Sequence, residues 1–331
     1  MNLAIVGATG VVGREVIKCL ELRNFPITNL YLAASAKSVG KIIKTIWGEI
    51  KVREISSKLF EQSDIAFFTA GSEISKLFAP LAKINNCLVI DNSSLFRYDP
   101  LVPLVIPEIN GAEAFNHSGL IANPNCTTAI AALPLWVLEK NFGIKKIIMS
   151  TYQAVSGAGQ AGLDELEQQV IEYANHQELV VSKFSHQILF NVIPHIDSFQ
   201  SNGYTKEEMK VVWETQKIFK RPDLAISCTA VRLPIKRAHS ESVVVQTKSK
   251  VSPEKFKKLL SQSVGVELVD DVALGQYPTP MTAMNKFSVE IGRIRQSLIF
   301  GEYGLEFFIS GDQLLRGAAL NAVEIAELFI N

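Results

Sequence analysis

The chain has 331 residues, 47% of them hydrophobic, which is more than one ordinary core accommodates and implies two domains. Its 33 Lys and Arg balance 33 Asp and Glu, so no net field favours nucleic acid or an anionic membrane, and a small-molecule partner recognised by local charge is expected. The longest apolar run, Ala129 to Leu138, contains Pro134 and falls short of the roughly 20 residues that span a bilayer.

"MNLAIVGATG" opens as a strand rather than a signal peptide, and the chain is expected in the cytosol. In "LAIVGATGVVGREVIKCLEL" the apolar run Leu3 to Val6 stops at Gly7. Val12, Val16, Ile17 and Leu20 then follow at helical spacing, so the stretch reads as strand, glycine turn, helix. Further strands are expected at "NLYLAAS", "DIAFFTA" and "CLVIDNS", with "ISKLFAPLAKI" as a crossover helix, and this alternation implies a parallel doubly wound sheet over residues 1–125. Beyond Lys145, "KKIIMSTYQAVSG", "LAISCTAVRLPI", "ESVVVQTKSKV" and "LEFFIS" are rich in β-branched and aromatic residues. They predict an α+β domain over 126–312 with a mostly antiparallel sheet. Helical periodicity returns through Leu315, Ala319, Val323, Ala326 and Phe329, predicting a helix over 313–331 that completes the first domain. Cys19, Cys87, Cys126 and Cys228 lie far apart without a CxxC pair. The histidines show no metal-ligand spacing, so neither disulfides nor a metal site is expected.

Gly7, Gly10 and Gly13 follow a strand and open a helix, where backbone can approach a pyrophosphate stabilised by the helix N-terminus. A plain strand-to-helix turn could carry the same glycines, but the flanking strand and helix favour a nucleotide. The segment after the second strand, "LAASAKSVGK", offers Ser35, Lys37 and Ser38 and no acid for a ribose hydroxyl. Hydroxyls and an ammonium suit a 2'-phosphate and hence NADP, a solvated polar loop being the alternative.

Cys126 stands between the Asn-Pro-Asn turn 123–125 and a helical run. Unpaired N–H groups at a helix start stabilise both a thiolate and an oxyanion formed by its attack on a carbonyl. A buried structural cysteine is the alternative reading there, and the accepted one for Cys19, Cys87 and Cys228. A nicotinamide beside a reactive thiol narrows the chemistry to aldehyde oxidation through a thioester, or its reverse.

The blocks "GATGVVG", "DNSSLFR", "IPEIN", "ANPNCTT", "STYQAVSGAG", "FNVIP", "GYTKEEMK", "ETQKI", "VRLPI", "AHSESV", "YPTP", "GRIR" and "LLRGAALNAVEIAE" run almost end to end. In order and spacing the chain resembles the bacterial aspartate-semialdehyde dehydrogenases. The resemblance implies a Rossmann-type NADP-binding domain and a catalytic and dimerisation domain. It also implies reversible NADPH-dependent reduction of L-aspartyl 4-phosphate to L-aspartate 4-semialdehyde, in lysine, threonine and methionine biosynthesis, by a homodimer or homotetramer. By resemblance Cys126 is the nucleophile, Gln153 positions the reacting group, and His239 is the acid/base that takes the thiol proton. Arg232 clamps the substrate carboxylate, Glu214 receives the amino group, and Arg97, Asn125 and Lys217 form the phosphate site. The cofactor's phosphate turn falls to Thr9, Gly10, Val11 and Val12 between Gly7 and Gly13, its 2'-phosphate to Ser35 and Lys37, and its nicotinamide to Ser156, Gly157 and Gln313.

Three positions depart from the family's common residues: Lys37 stands for Arg, Gln313 for Asn, and Ala238 for Gly. Lysine meets phosphate as a point charge without the bidentate fork, and Ala238 matters if its backbone needs a positive φ. The alternatives are N-acetyl-glutamyl-phosphate reductase, with the same thiol chemistry on a longer substrate, and a catalytically inactive nucleotide-binding homologue.

Overall fold

The computed structural model describes residues 1–330, so the last residue of the expected helix 313–331 lies outside the described residues. The chain divides into two compact units, one comprising residues 1–125 and the C-terminal segment from Gly317, the other residues 126–316.

In the first unit, strands β1 (Asn2–Val6), β2 (Asn29–Ala33), β5 (Ile65–Phe68), β6 (Leu88–Asp91) and β7 (Leu120–Ala122) form a parallel sheet in the order β2-β1-β5-β6-β7. Helices α1 (Val11–Leu22) and α3 (Ser72–Ile84) make crossovers, and short helices α2 (Ser57–Glu61) and α4 (Pro107–Asn110) fill connections. Helices on a parallel sheet shield its strands from water, so the strands read as continuous apolar runs: Leu3 to Val6 and Ile65 to Phe68 are all buried. A small antiparallel hairpin, β3 (Ile42–Thr45) and β4 (Gly48–Lys51), follows the second strand. The sequence reading did not anticipate it, because "IIKT" and "GEIK" are too short and too exposed to carry a burial pattern.

In the second unit, β8 (Ile144–Gln153), β9 (Ala225–Arg232), β10 (His239–Thr247), β11 (Val266–Leu268), β12 (Val289–Ser297) and β13 (Gly301–Gly311) form a sheet in the order β11-β12-β13-β10-β8-β9. The three central pairings are antiparallel and the two outer ones parallel, so the sheet is mixed. The parallel β8–β9 pair needs a crossover, and the stretch between them supplies it with α6 (Gln160–Ala174) and α7 (Lys206–Ile218). Helix α5 (Cys126–Phe142) is buried almost all round, including every residue from Thr127 to Leu135. Pro134 lies inside it. The remaining helices are α8 (Pro253–Leu260) and α9 (Pro280–Ala283).

The expected C-terminal helix begins with a π-helical stretch, Leu315–Leu320, before α10 (Asn321–Glu327). Such wide turns are rare outside functional regions. Within the first unit α10 is tied to α1, Arg23 Nε donating to Glu327 Oε1 at 2.6 Å. Asn321 Nδ2 donates to Val105 O (2.9 Å) and to Asn123 Oδ1 (2.6 Å). The segment thus shares the first unit's core although 191 positions separate Asn125 and Arg316 in the chain, a gap filled by the second unit.

Candidate active site

The first unit presents the glycine turn. Gly7 has φ +95°, and a Cβ there would lie 2.7 Å from Thr69 Oγ1. A Cβ on Gly13 would lie 2.2 Å from the Gly7 carbonyl oxygen. Side chains would therefore fill the cradle and push α1 off the strand, so the backbone is shaped for close approach by a ligand. The turn is tied to the end of β2 by Gly7 N–H and Ala8 N–H donating to Ala33 O (2.8 and 3.1 Å). Val11 and Val12 open α1 behind Gly10, and no side chain caps the helix start, which leaves the first N–H groups for an anion. Thr9 Oγ1 donates to Ser38 Oγ at 3.2 Å and joins this turn to the segment carrying Ser35 and Lys37, both exposed. Those residues fit a phosphorylated dinucleotide. Arg97 and Asn125 are buried in the same unit, the Arg97 Nε donating to Asn123 O and an Nη to Asn92 O, each at 2.8 Å.

In the second unit Cys126, half-buried, begins α5. Beside it, Thr127 Oγ1 accepts from Gln153 Nε2 at 3.0 Å. Gln153 ends β8, level with Arg232 at the end of β9 and next to the start of β10 at His239, so strand register gathers three of the expected site residues at one sheet end. The Ala154 peptide joins two of them: its carbonyl accepts from Arg232 Nη1 (2.6 Å) and its N–H donates to His239 Nδ1 (3.0 Å). Arg232 is 6% exposed and His239 0%. Burial lowers the affinity of the guanidinium for its proton, and the charges of Glu207 and Cys126 oppose that, which places Arg232 and the thiol within electrostatic reach. Gly157 explains itself sterically: a Cβ there would lie 2.9 Å from Arg232 Nη1 and 3.3 Å from His239 Nε2.

His239 differs from the expectation that it takes the thiol proton. Burial, and then the charge of Arg232, push its pKa down to about 3 against the pull of Glu207, so the ring is neutral at pH 7. Because Nδ1 accepts the Ala154 N–H, the hydrogen-bond network assigns the ring proton to Nε2, which is buried with no partner among the described residues. The ring is therefore poised to donate from Nε2.

Glu207 and Lys210, which the sequence does not single out, also lie at this sheet end, on the helix that carries the expected Glu214 and Lys217. Gln153 Nε2 also donates to Glu207 Oε1 (3.1 Å), Lys210 Nζ pairs with Glu207 (2.9 Å), and Lys210 reaches Asp197 (2.8 Å). Burial opposes the Glu207 charge, but Lys210, Gln153 and Arg232 outweigh it and hold the carboxyl at about 2. Glu214, fully buried, and Lys217, half-buried, lie two turns farther along α7, about 10 Å at 1.5 Å per residue. The available signal was the capping box of Thr205 and Glu208 in "TKEEMK", which marks the helix start and hence the end of α7 that meets the sheet edge.

Ser156, Gln313 and Ala238 are also brought together. Ala238 has φ +71°, its N–H donates to Gln313 Oε1 (2.7 Å), and Gln313 Nε2 donates to Ser156 Oγ. The Ala238 position therefore does need the left-handed conformation that glycine adopts at least cost.

Comparison with known proteins agrees with this arrangement. Residues 2–117 match the family profile described as semialdehyde dehydrogenase, NAD binding domain, and residues 135–316 the one described as semialdehyde dehydrogenase, dimerisation domain. The aspartate-semialdehyde dehydrogenases of Bacillus subtilis and Aquifex aeolicus are 44% and 43% identical, each over 99% of this chain and 96% and 98% of their own lengths. The crystal structure of aspartate semialdehyde dehydrogenase II complexed with ASA from Vibrio cholerae superposes with a TM-score of 0.96 at 41% identity, covering 99% of this chain and 97% of its own. Among the described residues no helix is long and apolar enough to cross a membrane. With a thiol at a helix start, an arginine and a neutral imidazole gathered on one sheet end, and both family profiles matched in order, the chain belongs to the aspartate-semialdehyde dehydrogenase family.

Proposed function

We propose that the chain catalyses the reversible NADPH-dependent reduction of L-aspartyl 4-phosphate to L-aspartate 4-semialdehyde and phosphate. The observation that carries this reading is the Ala154 hub, which holds Arg232 and neutral His239 beside the helix start that bears Cys126.

The Cys126 sulfur, as thiolate, attacks the acyl carbon; its C–S bond forms, the carbon–oxygen bond to phosphate breaks, and phosphate leaves. The N-terminus of α5 and the Arg232 charge stabilise the thiolate before attack and again after release. When bound, the reduced nicotinamide supplies hydride. His239 Nε2–H donates a hydrogen bond to the acyl oxygen as negative charge develops there and keeps its proton; the oxyanion then collapses to the aldehyde as the C–S bond cleaves and its electron pair returns to sulfur. Cys126 returns as thiolate, and the one proton consumed overall is taken from solvent by the released phosphate. One Nη of Arg232 is held by Ala154 O, which orients the remaining face of the guanidinium for the substrate carboxylate. We assign the free amino group to Glu214, as the resemblance implies, with Glu207 an anionic carboxylate that aligns Gln153 beside the helix start. Lys217 keeps the phosphate role that the resemblance gives it, and Lys210 holds Glu207 in place. Arg97 and Asn125 keep the phosphate role that the resemblance gives them.

A carboxylate for an unacylated ammonium, the role the resemblance gives Glu214, favours the aspartyl substrate over N-acetyl-glutamyl phosphate. The glycine turn and the acid-free Ser35, Lys37, Ser38 segment hold NADP. The dimerisation domain supports a homodimer or homotetramer, and the separated free cysteines suit the reducing cytoplasm. Phosphate-dependent NADPH formation from aspartate semialdehyde by the purified chain tests the proposal. Cofactor binding without turnover would identify an inactive homologue instead.

A further inference from the structure

Resting on the NADP reading above, we propose that Arg14 is a further determinant of cofactor choice, its guanidinium binding the 2'-phosphate of the adenosine ribose from an anchor on the glycine turn. Arg14 lies in the first turn of α1 and is exposed. Its side chain folds back along the helix, Nε donating to the Thr9 carbonyl oxygen at 3.2 Å. That bond uses one of the five guanidinium donors and leaves the four on the two Nη groups for a ligand.

The anchor is informative because Thr9 also reaches the other side of the groove. Its hydroxyl donates to Ser38 Oγ, in the short 3-10 turn Ala36–Ser38 that follows β2. In a doubly wound sheet the adenosine ribose lies off the end of that second strand, and a nearby arginine accommodates a 2'-phosphate there. Arg14 is thus tethered to the residue that bridges the pyrophosphate turn and the ribose segment.

Electrostatics point the same way. The N-terminus of a helix carries partial positive charge, so a cation folded over it is disfavoured in isolation. The first turn of α1 contains no acidic residue to neutralise it. A dianionic phosphate between Arg14, Lys37 and the hydroxyls of Ser35 and Ser38 removes that conflict. It also supplies the bidentate fork that Lys37 cannot provide. Arg14 then performs from α1 the guanidinium function that a lysine at position 37 leaves open.

The test is calorimetric binding of 2',5'-ADP and 5'-AMP, which differ by the 2'-phosphate, to the full chain and to Arg14→Ala and Arg14→Lys. Arg14→Ala is expected to weaken 2',5'-ADP about tenfold while 5'-AMP stays within about twofold, and Arg14→Lys to recover part of the loss. The salt dependence of 2',5'-ADP binding should become shallower in Arg14→Ala. Equal weakening of both ligands, or no change in either, overturns the role of Arg14 while leaving the NADP reading intact, provided the parent chain discriminates between them. A parent chain that binds the two equally overturns the NADP reading and this inference with it.

Discussion

Glu241 makes folding stability fall with rising pH, and replacing it by glutamine should remove that slope. It occupies the middle strand region of β10, opposite Thr151 of β8 and Ile309 of β13, and is fully buried with both carboxyl oxygens unpartnered. Among the described residues no cation compensates it, and burial pushes its pKa well above the ordinary value. The titratable group that couples to it, Cys228 on β9, is itself raised by burial and by the charges of Glu241, Glu208 and Glu207, so its thiol is neutral at pH 7. In the unfolded chain Glu241 ionises near pH 4.5. Above that, the folded state binds one more proton than the unfolded state, and stability decreases by about 1.4 kcal/mol per pH unit until the folded carboxyl itself ionises. Glu241→Gln keeps the shape and deletes the proton. Urea unfolding of both proteins at about pH 6 and pH 8 should show the difference in stability shifting in favour of Glu241→Gln as pH rises, with about 3 kcal/mol as the limit reached if the folded carboxyl stays protonated throughout. The amide's own burial cost is constant with pH and cancels from this shift. Parallel stabilities across the range would mean that Glu241 is ionised in the folded state, and would refute the reasoning.

Cys126→Ser should abolish turnover while 2',5'-ADP still binds, because the nucleophile and the glycine turn are separate elements; retained activity would exclude the thioester. With Glu207 joined to Gln153, Glu207→Gln should lower kcat, whereas Glu214→Gln, which loses the amino-group partner, should raise KM about tenfold or more; steady-state rates separate the two. His239, at about 3, should leave kcat without an ionisation near pH 6.5; a step there in a plot of rate against pH would contradict the neutral Nε2–H donor. The same depressed value makes its stability contribution complete above about pH 6.5 and lost as pH falls toward 3, a slope opposite in sign to that of Glu241. Ala238→Gly should raise stability by about 1–2 kcal/mol in thermal or urea unfolding, since the positive φ strains alanine alone; a loss of stability would show that the Ala238 methyl packs favourably enough to outweigh the strain.

The first unit was the more legible one, because parallel strands buried on both faces appear as uninterrupted apolar runs and the glycine turn punctuates them. The mixed sheet was less so: whether β8 pairs with β9 parallel or antiparallel depends on how the chain between Gln153 and Ala225 returns, and no strand pattern records that path. The hairpin β3–β4 and the π-helical stretch Leu315–Leu320 left no periodic signal for a different reason, being respectively short and exposed, and dependent on local helix width.

Sequence alone determined the kind of chemistry, since a thiol after an Asn-Pro-Asn turn and a glycine turn after a strand are local features whose physics lies in a few neighbouring peptides. Tertiary structure alone decided the partners. Glu207 and Glu214 are both helix carboxylates in similar local sequence, and only the approach of α7 to the end of β8 puts Glu207 on Gln153. His239 likewise has an ordinary sequence environment. Its neutrality and its Nε2 proton come from complete burial, from the charge of Arg232, and from a peptide N–H 85 positions away in the chain. Desolvation and long-range hydrogen bonds depend on what is near in space, which chain order does not encode.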